Sequence, residues 1–472
     1  MVYNQDIMRL SKAIISFVSV WLLVFLGVFL RLAKADTFPV DNNDDGLFYV
    51  WTGSSFLDNP FSPVSHSIFE KENKSLIWRS QFKDYLPVER FGMKIVRPWF
   101  DHPPLGTVIV SLPARILGYK NLEPIPHLLV RYPALVASIF TLFLTYLLAK
   151  KLFGEKTALL SLLAFATIPY FVIAHRQSFL ENFLTPLFLA CLLFLLDFQE
   201  KRSKNTFVFL LFFSFLAGWI KVAGFAVPFM IAGWLFFKKM VKSGFAFVFI
   251  GFASIASYFF YGLAADSQIF LKALLNQTGR GAFASSFFFG LTRPEFYGQF
   301  NDGFYVLGFL FCFFLILVKH KEEKVKFFGW FFMGWLLVLF LLCGRFSNSP
   351  WYRYPLLPFM AIAIGYYLKK LLVKNNIFWV APLFLLGLTG LDLLDINLSS
   401  TFLRLLTVGF FSVFLFKFLF SGGVFDRPAF WLTRVFIVFL VVVNILVCLR
   451  YGTIHCKKEK CLLPEKIILR EN

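Results

Sequence analysis

The chain is poor in charge and poorer still in acid. Of its 472 residues only 16% are Asp, Glu, Lys or Arg, and 27 acidic residues face 47 basic ones. A soluble globule averages roughly 25% charged residues, so a soluble fold of this length is excluded. Cysteine is scarce at six. Cys191, Cys312 and Cys343 lie in apolar runs and read as small core residues. Cys456 and Cys461 flank a Lys-rich turn and are expected to pair if that end lies outside the membrane. A metal site needs more ligands than this pair offers. No polar stretch is long enough for a separate soluble domain, and there is no low-complexity tract or clear internal repeat. The net charge of +20 is not gathered on a basic stripe interleaved with aromatics, so a nucleic-acid partner is excluded.

What is present is apolar. Hydrophobic residues make up 58% of the chain and Phe alone contributes 68; the mean hydropathy is +0.70. A spanning helix needs ~20 mostly apolar residues. Thirteen runs qualify as candidate spans: 13–32, 127–149, 157–174, 179–197, 206–220, 222–237, 243–262, 303–318, 327–343, 355–372, 376–394, 401–420 and 433–449. The fifth and sixth are short and turn about Trp219-Ile220-Lys221. Arg9 and Lys12 precede the first run, and Ala33-Lys34-Ala35 fits a small-x-small cleavage site. The run exceeds the ~7–15 residues of a signal-peptide core, so it reads as an uncleaved first helix. The chain is therefore expected to be an all-α polytopic membrane protein.

The loops orient it. Lys150-Lys151, Lys201-Arg202-Ser203-Lys204, Lys238-Lys239 with Lys242, the Lys319–Lys326 cluster, and Lys369-Lys370 with Lys374 all fall on the side of the N-terminus. That side is cytoplasmic by the positive-inside rule. Three longer segments then lie outside: 33–126, 263–302 and 344–354. Within the first, Pro104 to Tyr119 is apolar but too short to span. It reads as a helix lying in the interface, with Arg115 and Tyr119 at headgroup level.

Ionisable groups cluster on that outer face. Asp41, Asp44 and Asp45 fall within five residues, just past the first run. Asp101-His102-Pro103-Pro104 opens the interfacial helix, with the double proline fixing the backbone. His175-Arg176 and Glu181-Asn182 lie between the third and fourth runs, and Arg176 and Glu181 are expected to point into one cavity. Trp351-Tyr352-Arg353-Tyr354-Pro355 enters the tenth run, with Lys221 at the same level. Each has a plainer reading. His102 suits a helix cap, Arg176 with Glu181 an ion pair stapling a hairpin, and Arg353 with Tyr354 an interface belt. Gathered on one face, they suit transfer from a lipid phosphate. A carboxylate accepts the proton of an attacking hydroxyl, and cations neutralise the phosphate as it leaves.

The acidic cluster, Asp101-His102-Pro103-Pro104-Leu105-Gly106, Ala174-His175-Arg176 with Glu181, and Arg353-Tyr354-Pro355-Leu356-Leu357-Pro358 together resemble the protein O-mannosyltransferase and aminoarabinose-transferase-like membrane glycosyltransferases, which are GT-C enzymes. The resemblance implies a bundle of about 13 transmembrane helices with interfacial helices in the first long extracytoplasmic loop. It implies a membrane core over 1–372 with its catalytic loop at 33–126, C-terminal helices over 373–449 and a short outer tail at 450–472. The large appended domains of both groups have no counterpart here, and the tail after Leu449 is only 23 residues.

It also implies roles. Asp44 stands for the catalytic acid of the first loop, with Asp45 in the place of a usual Glu. Glu181 joins them as a catalytic carboxylate that positions Arg176 or a sugar hydroxyl. His102, Arg176, Lys221, Arg280 and Arg353 are expected around the donor phosphate. Val222 replaces the family's usual Gly after the lysine. Asp41, Tyr49, Asp101 and Tyr354 are expected to line the substrates. The partners implied are a polyprenyl-phosphate-linked sugar donor, membrane lipids and a hydroxyl acceptor of unspecified class. No cofactor is assigned, although the carboxylate cluster offers oxygens of the kind a divalent cation takes. The rival from another class is a lipid-linked oligosaccharide flippase. That would spread its charges along a midplane path rather than crowd them on one face. A structural or assembly subunit would have no use for the acidic cluster.

Overall fold

The computed structural model describes residues 2–39, 45–66, 95–120, 125–278, 300–342, 350–375, 377–420 and 423–459. Among these residues the chain is helical apart from one short antiparallel bridge, Ser65–His66 with Ile95–Val96. The helices are α1 (Val2–Leu32), α2 (Asp45–Asp58), α3 (Pro104–Ile116), α4 (His127–Phe153), α5 (Glu155–Thr167), α6 (Pro169–Ala174), α7 (Glu181–Lys201), α8 (Lys204–Ile220) and α9 (Ala226–Phe237). They continue with α10 (Val241–Thr278), α11 (Gly303–Lys319), α12 (Glu323–Leu342), α13 (Leu357–Leu371), α14 (Ile377–Gly387), α15 (Thr389–Leu393), α16 (Ser400–Leu419) and α17 (Asp426–Glu459). Seven described helices are long and apolar enough to cross a membrane, and five shorter apolar helices accompany them. This is a multi-pass membrane protein.

Every expected apolar run carries helix, but several break or extend. The third run is split because Pro169 has no N–H to give the Phe165 carbonyl one turn back. Arg31 of α1 supplies the missing donor, its Nη2 bonding Phe165 O at 2.9 Å. The eleventh run divides at Leu388 into α14 and α15. Helix α10 runs on to Thr278, so the expected second outer segment begins as helix. At Asp266 the backbone leaves helical geometry, and its Oδ1 accepts from Ile269 N at 2.9 Å to restart the turn.

Two helices bring the outer loop onto the bundle. Helix α3 is the expected 104–119 element and starts with proline in its first turn, where no N–H is missed. Helix α2 was not anticipated, because a run of acids and asparagines reads as a solvated loop. Its residues Gly46 to Ser55 are all buried. Helices α2 and α3 pack at very close range: a Cβ on Gly53 would overlap the Thr107 carbonyl oxygen. Helix α3 also packs on α8. Helices α7 and α8 form a hairpin. Arg202, left-handed at φ 54°, ends the first, and Ser203 caps the second by accepting from Thr206 N. That turn sets the open end of the hairpin beneath α3.

Candidate active site

The open end of the α7–α8 hairpin places two charges side by side. Glu181 is the first residue of α7 and Lys221 directly follows α8. Their side chains form a buried ion pair, Lys221 Nζ to Glu181 Oε1. The same ammonium lies 4.4 Å from the ring centroid of Tyr352, a cation–π contact that strengthens as water is excluded. Tyr352 belongs to a 3-10 segment, Pro350–Leu356, whose position is held by Trp335 Nε1 donating to the Tyr352 carbonyl at 3.2 Å. Glu181 Oε2 is buried with no hydrogen-bond partner among the described residues.

The outer loop closes over this pair. Asp45, half-buried at the start of α2, acts electrostatically on both Lys221 and Tyr49. Tyr49 is buried within the fields of Asp45, Glu181, Tyr352 and Asp101. Burial first, and Asp45 next, hold its phenol well above its ordinary pKa of 10.0. It therefore keeps its proton and can donate a hydrogen bond. His102 packs between Tyr49 and Trp99, at 5.8 and 5.9 Å between ring centroids. Asp101 is buried beside it. Five separate stretches of sequence thus meet: Asp45 and Tyr49 on α2, Trp99 to His102 before α3, Glu181, Lys221 and Tyr352.

Three plainer readings are corrected. His102 does not cap α3, whose N-cap is Pro103 with no side-chain cap bond. Arg353 and Tyr354 are not an interface belt, since both are buried. Arg353 Nη1 donates to Tyr305 Oη at 2.7 Å. Tyr305 lies against Tyr170, ring centroids 4.6 Å apart, and Tyr170 N donates to Asp302 Oδ2 at 2.9 Å. Tyr354 stacks near His175, centroids 6.2 Å apart. Nor do Arg176 and Glu181 form an ion pair or share one cavity. Arg176 Nη2 donates instead to Leu30 O at 2.7 Å and Cys448 O at 2.8 Å, tying α1 to α17. Its electrostatic partners are Cys448, Arg131 and Asp36. Glu181 turns the other way, to Lys221.

Asp41, Asp44, Arg280 and Cys461 lie outside the described residues, as does the side chain of Cys456. Among the described residues no three His, Cys, Asp or Glu side chains gather as a metal site. Sequence reasoning missed Trp99 and Tyr305, and named Tyr352 without giving it a role. Tyr352 carried a signal, because it sits beside Arg353 in a segment rich in aromatic and basic residues. Tyr305 carried none, being one aromatic in an apolar run.

Residues 101–261 match the model of the dolichyl-phosphate-mannose-protein mannosyltransferase family. ArnT from Cupriavidus metallidurans bound to undecaprenyl phosphate has a similar structure, with a TM-score of 0.57 at 12% identity over 94% of this chain and 78% of that one. Its apo state gives 0.56 at 14% identity over the same shares, 94% and 78%. The chain has the fold of ArnT. An uncharacterized protein of Aquifex aeolicus (strain VF5) is 27% identical over 288 residues, 58% of this chain and 54% of that protein. The match thus spans about half of that relative's length. The family match begins at Asp101 and takes in His102, Arg176, Glu181 and Lys221. The resemblance read from the sequence holds for this stretch by family model and for nearly the whole chain by fold.

Proposed function

We propose that this protein transfers a sugar from a polyprenyl-phosphate donor to an acceptor hydroxyl, with inversion, on the outer face of the membrane. The observation that carries the reading is the buried Glu181–Lys221 pair, set among Asp45, Tyr49, His102 and Tyr352 in a GT-C fold. Buried charge within a membrane protein persists where it works. A similarly folded protein, ArnT, is described with undecaprenyl phosphate bound, which supports a lipid phosphate as the leaving group.

The step is one displacement. The acceptor oxygen bonds to the anomeric carbon, the carbon–oxygen bond to phosphate breaks, and polyprenyl phosphate departs with the bond's electrons. Asp44 takes the acceptor's proton, with Asp45 beside it holding the local field. Lys221 has three N–H donors. One goes to Glu181, which leaves two for phosphate oxygens. Glu181 keeps the lysine charged and aimed, and its second oxygen is free to accept from a sugar hydroxyl. Tyr49 donates a hydrogen bond and never competes as a base. Arg353, fixed by Tyr305, neutralises the leaving phosphate together with Lys221 and His102. Arg280 is assigned to the donor phosphate from the sequence alone. Arg176 is reassigned from phosphate binding to holding the helices.

The test is sugar transfer by purified protein in detergent from a polyprenyl-phosphate sugar, scored by release of polyprenyl phosphate and the anomeric configuration of the product. No turnover across a panel of such donors, or a product of retained configuration, would overturn the reading.

A further inference from the structure

The Lys221 ammonium is held on two sides, by the carboxylate of Glu181 and by the ring of Tyr352. These two holders come from segments far apart in the chain, and a contact one step back along each segment joins them. Phe179 is two residues before Glu181, and Trp351 is one before Tyr352. Their rings stack, with centroids 4.3 Å apart and planes 14° from parallel. Phe179 is buried and Trp351 half-buried. Stacked rings prefer a set separation and offset, so the contact fixes both the spacing and the relative angle of the two segments.

The links from the stack to the charged pair are stiff. Asn182 N bonds Phe179 O at 2.9 Å, so Phe179 and the start of α7 move together. Asn182 Nδ2 donates to Ala174 O at 2.9 Å and to Gln177 O at 2.6 Å, bracing the loop from within. Ser178 Oγ donates to Val130 O at 2.6 Å and fastens the loop to α4. On the other segment, Trp351 shares the 3-10 turn of Tyr352, whose carbonyl Trp335 holds. Gly106 of α3 ties in the lysine: an added Cβ there would lie 2.8 Å from Ile220 O and 2.9 Å from Leu180 Cδ2. The residues just before Lys221 and Glu181 thus meet at one point. A shift at the stack therefore reaches Glu181 and Tyr352 instead of being absorbed by slack chain. A ~1 Å misplacement of a group acting on the substrate costs on the order of 10²-fold in rate.

We infer that Phe179 and Trp351 are positioning residues: their stack sets the gap between Glu181 and Tyr352 in which the Lys221 ammonium sits, and so aims that ammonium. This rests on the transfer reaction proposed above, and the test separates the two. Full-length protein in detergent carries Phe179→Leu, Trp351→Leu, both together, or Trp351→Phe. Transfer kinetics are measured on each. Thermal unfolding is measured on each with and without Lys221→Met.

Each leucine variant should lose turnover on the order of 10²-fold. The double variant should lose no more than either alone, because one stack is lost only once. Trp351→Phe keeps an aromatic face and should keep most of the turnover. Lys221→Met should lower Tm by less in the Phe179→Leu background than in wild type, since the ammonium is then no longer held by both partners. Near-normal turnover in both leucine variants overturns the proposal. So do losses that multiply in the double variant, because each ring would then act on its own, as when Trp351 touches the sugar. Trp351→Phe as impaired as Trp351→Leu overturns it, and so does an equal Tm cost of Lys221→Met in both backgrounds. If Phe179→Leu does not fold, Trp351→Leu takes its place in that comparison. If neither folds, the stack holds the fold as a whole and the proposal fails. If wild type transfers no sugar, the transfer reading has failed, and the unfolding comparison still decides whether the stack holds Lys221.

Discussion

Lys221 and Glu181, 40 residues apart, form a buried ion pair across the open end of the α7–α8 hairpin. The pair ties the hairpin's two helices at the level where α2 and α3 cover the bundle. Taking two charges out of water costs several kcal/mol each, and their attraction repays this only with good geometry. A matched apolar pair would hold the hairpin as well. Its retention as charge fits a role in chemistry.

That argument gives the first prediction. Glu181→Gln or Lys221→Met alone leaves the other group buried without its counter-charge, and should destabilise the protein by about 3–5 kcal/mol. The double variant should recover most of that stability and none of the transfer activity. Thermal unfolding in detergent measures the first, and product formation the second. A double variant no more stable than either single one would mean that the two side chains do not act as a pair.

Helix α2 depends on close approach to α3. At Gly53 an added methyl has nowhere to go, because it meets the Thr107 backbone and the Ser111 hydroxyl. Gly53→Ala should cost about 1–3 kcal/mol, the usual penalty of overpacking. Because α2 carries Asp45 and Tyr49, transfer should fall further than stability. Unimpaired turnover in this variant would show that α2 need not sit where it does.

These helices mark where sequence reading succeeds and stops. Each apolar run announced a helix, because a spanning segment must satisfy its backbone internally and advertises itself by length. Pro103-Pro104 announced the start of α3 for equally local reasons. Helix α2 was hidden: Asp41 to Asp45 reads as loop, and the buried Gly46 to Ser55 face has no apolar period to give it away. The same limit applies to pairing. Arg176 and Glu181 are five residues apart and looked like partners. Yet Lys221, far off in sequence, takes the carboxylate, and the carbonyls of Leu30 and Cys448 take the guanidinium. Which of two nearby charges turns inward is decided by helices that sequence spacing does not reveal.

The break between α5 and α6 supports a third prediction. Pro169 deprives Phe165 O of its helical donor, and Arg31 restores one. A buried carbonyl left unsatisfied costs about 1–3 kcal/mol. Arg31→Met should therefore destabilise the protein by at least that much. In a Pro169→Ala background the restored N–H should recover part of the loss. Equal destabilisation in both backgrounds would mean that Arg31 acts only through Gly27 and Phe171, its other carbonyl partners.

The last prediction separates proton transfer from phosphate binding. If Asp44 is the base, Asp44→Asn keeps the side chain's shape but cannot accept a proton. Turnover should drop by ~10²–10⁴, the usual worth of general base catalysis. Donor-lipid affinity should survive, because the base faces the acceptor. Arg353→Ala acts on the other partner. Its guanidinium would contact phosphate before and during the reaction, so its loss should weaken donor binding and turnover together. Arg353→Lys should rescue only in part, since a lysine cannot grip phosphate with a two-pronged fork or keep the bond to Tyr305 in the same geometry. Tyr305→Phe removes that 2.7 Å bond and should give a milder version of the Arg353→Ala defect. Donor affinity and single-turnover rate, measured side by side on the four variants, decide the assignment. Near-normal turnover in Asp44→Asn removes Asp44 as base. Loss of donor binding there, with binding intact in Arg353→Ala, reverses the two roles.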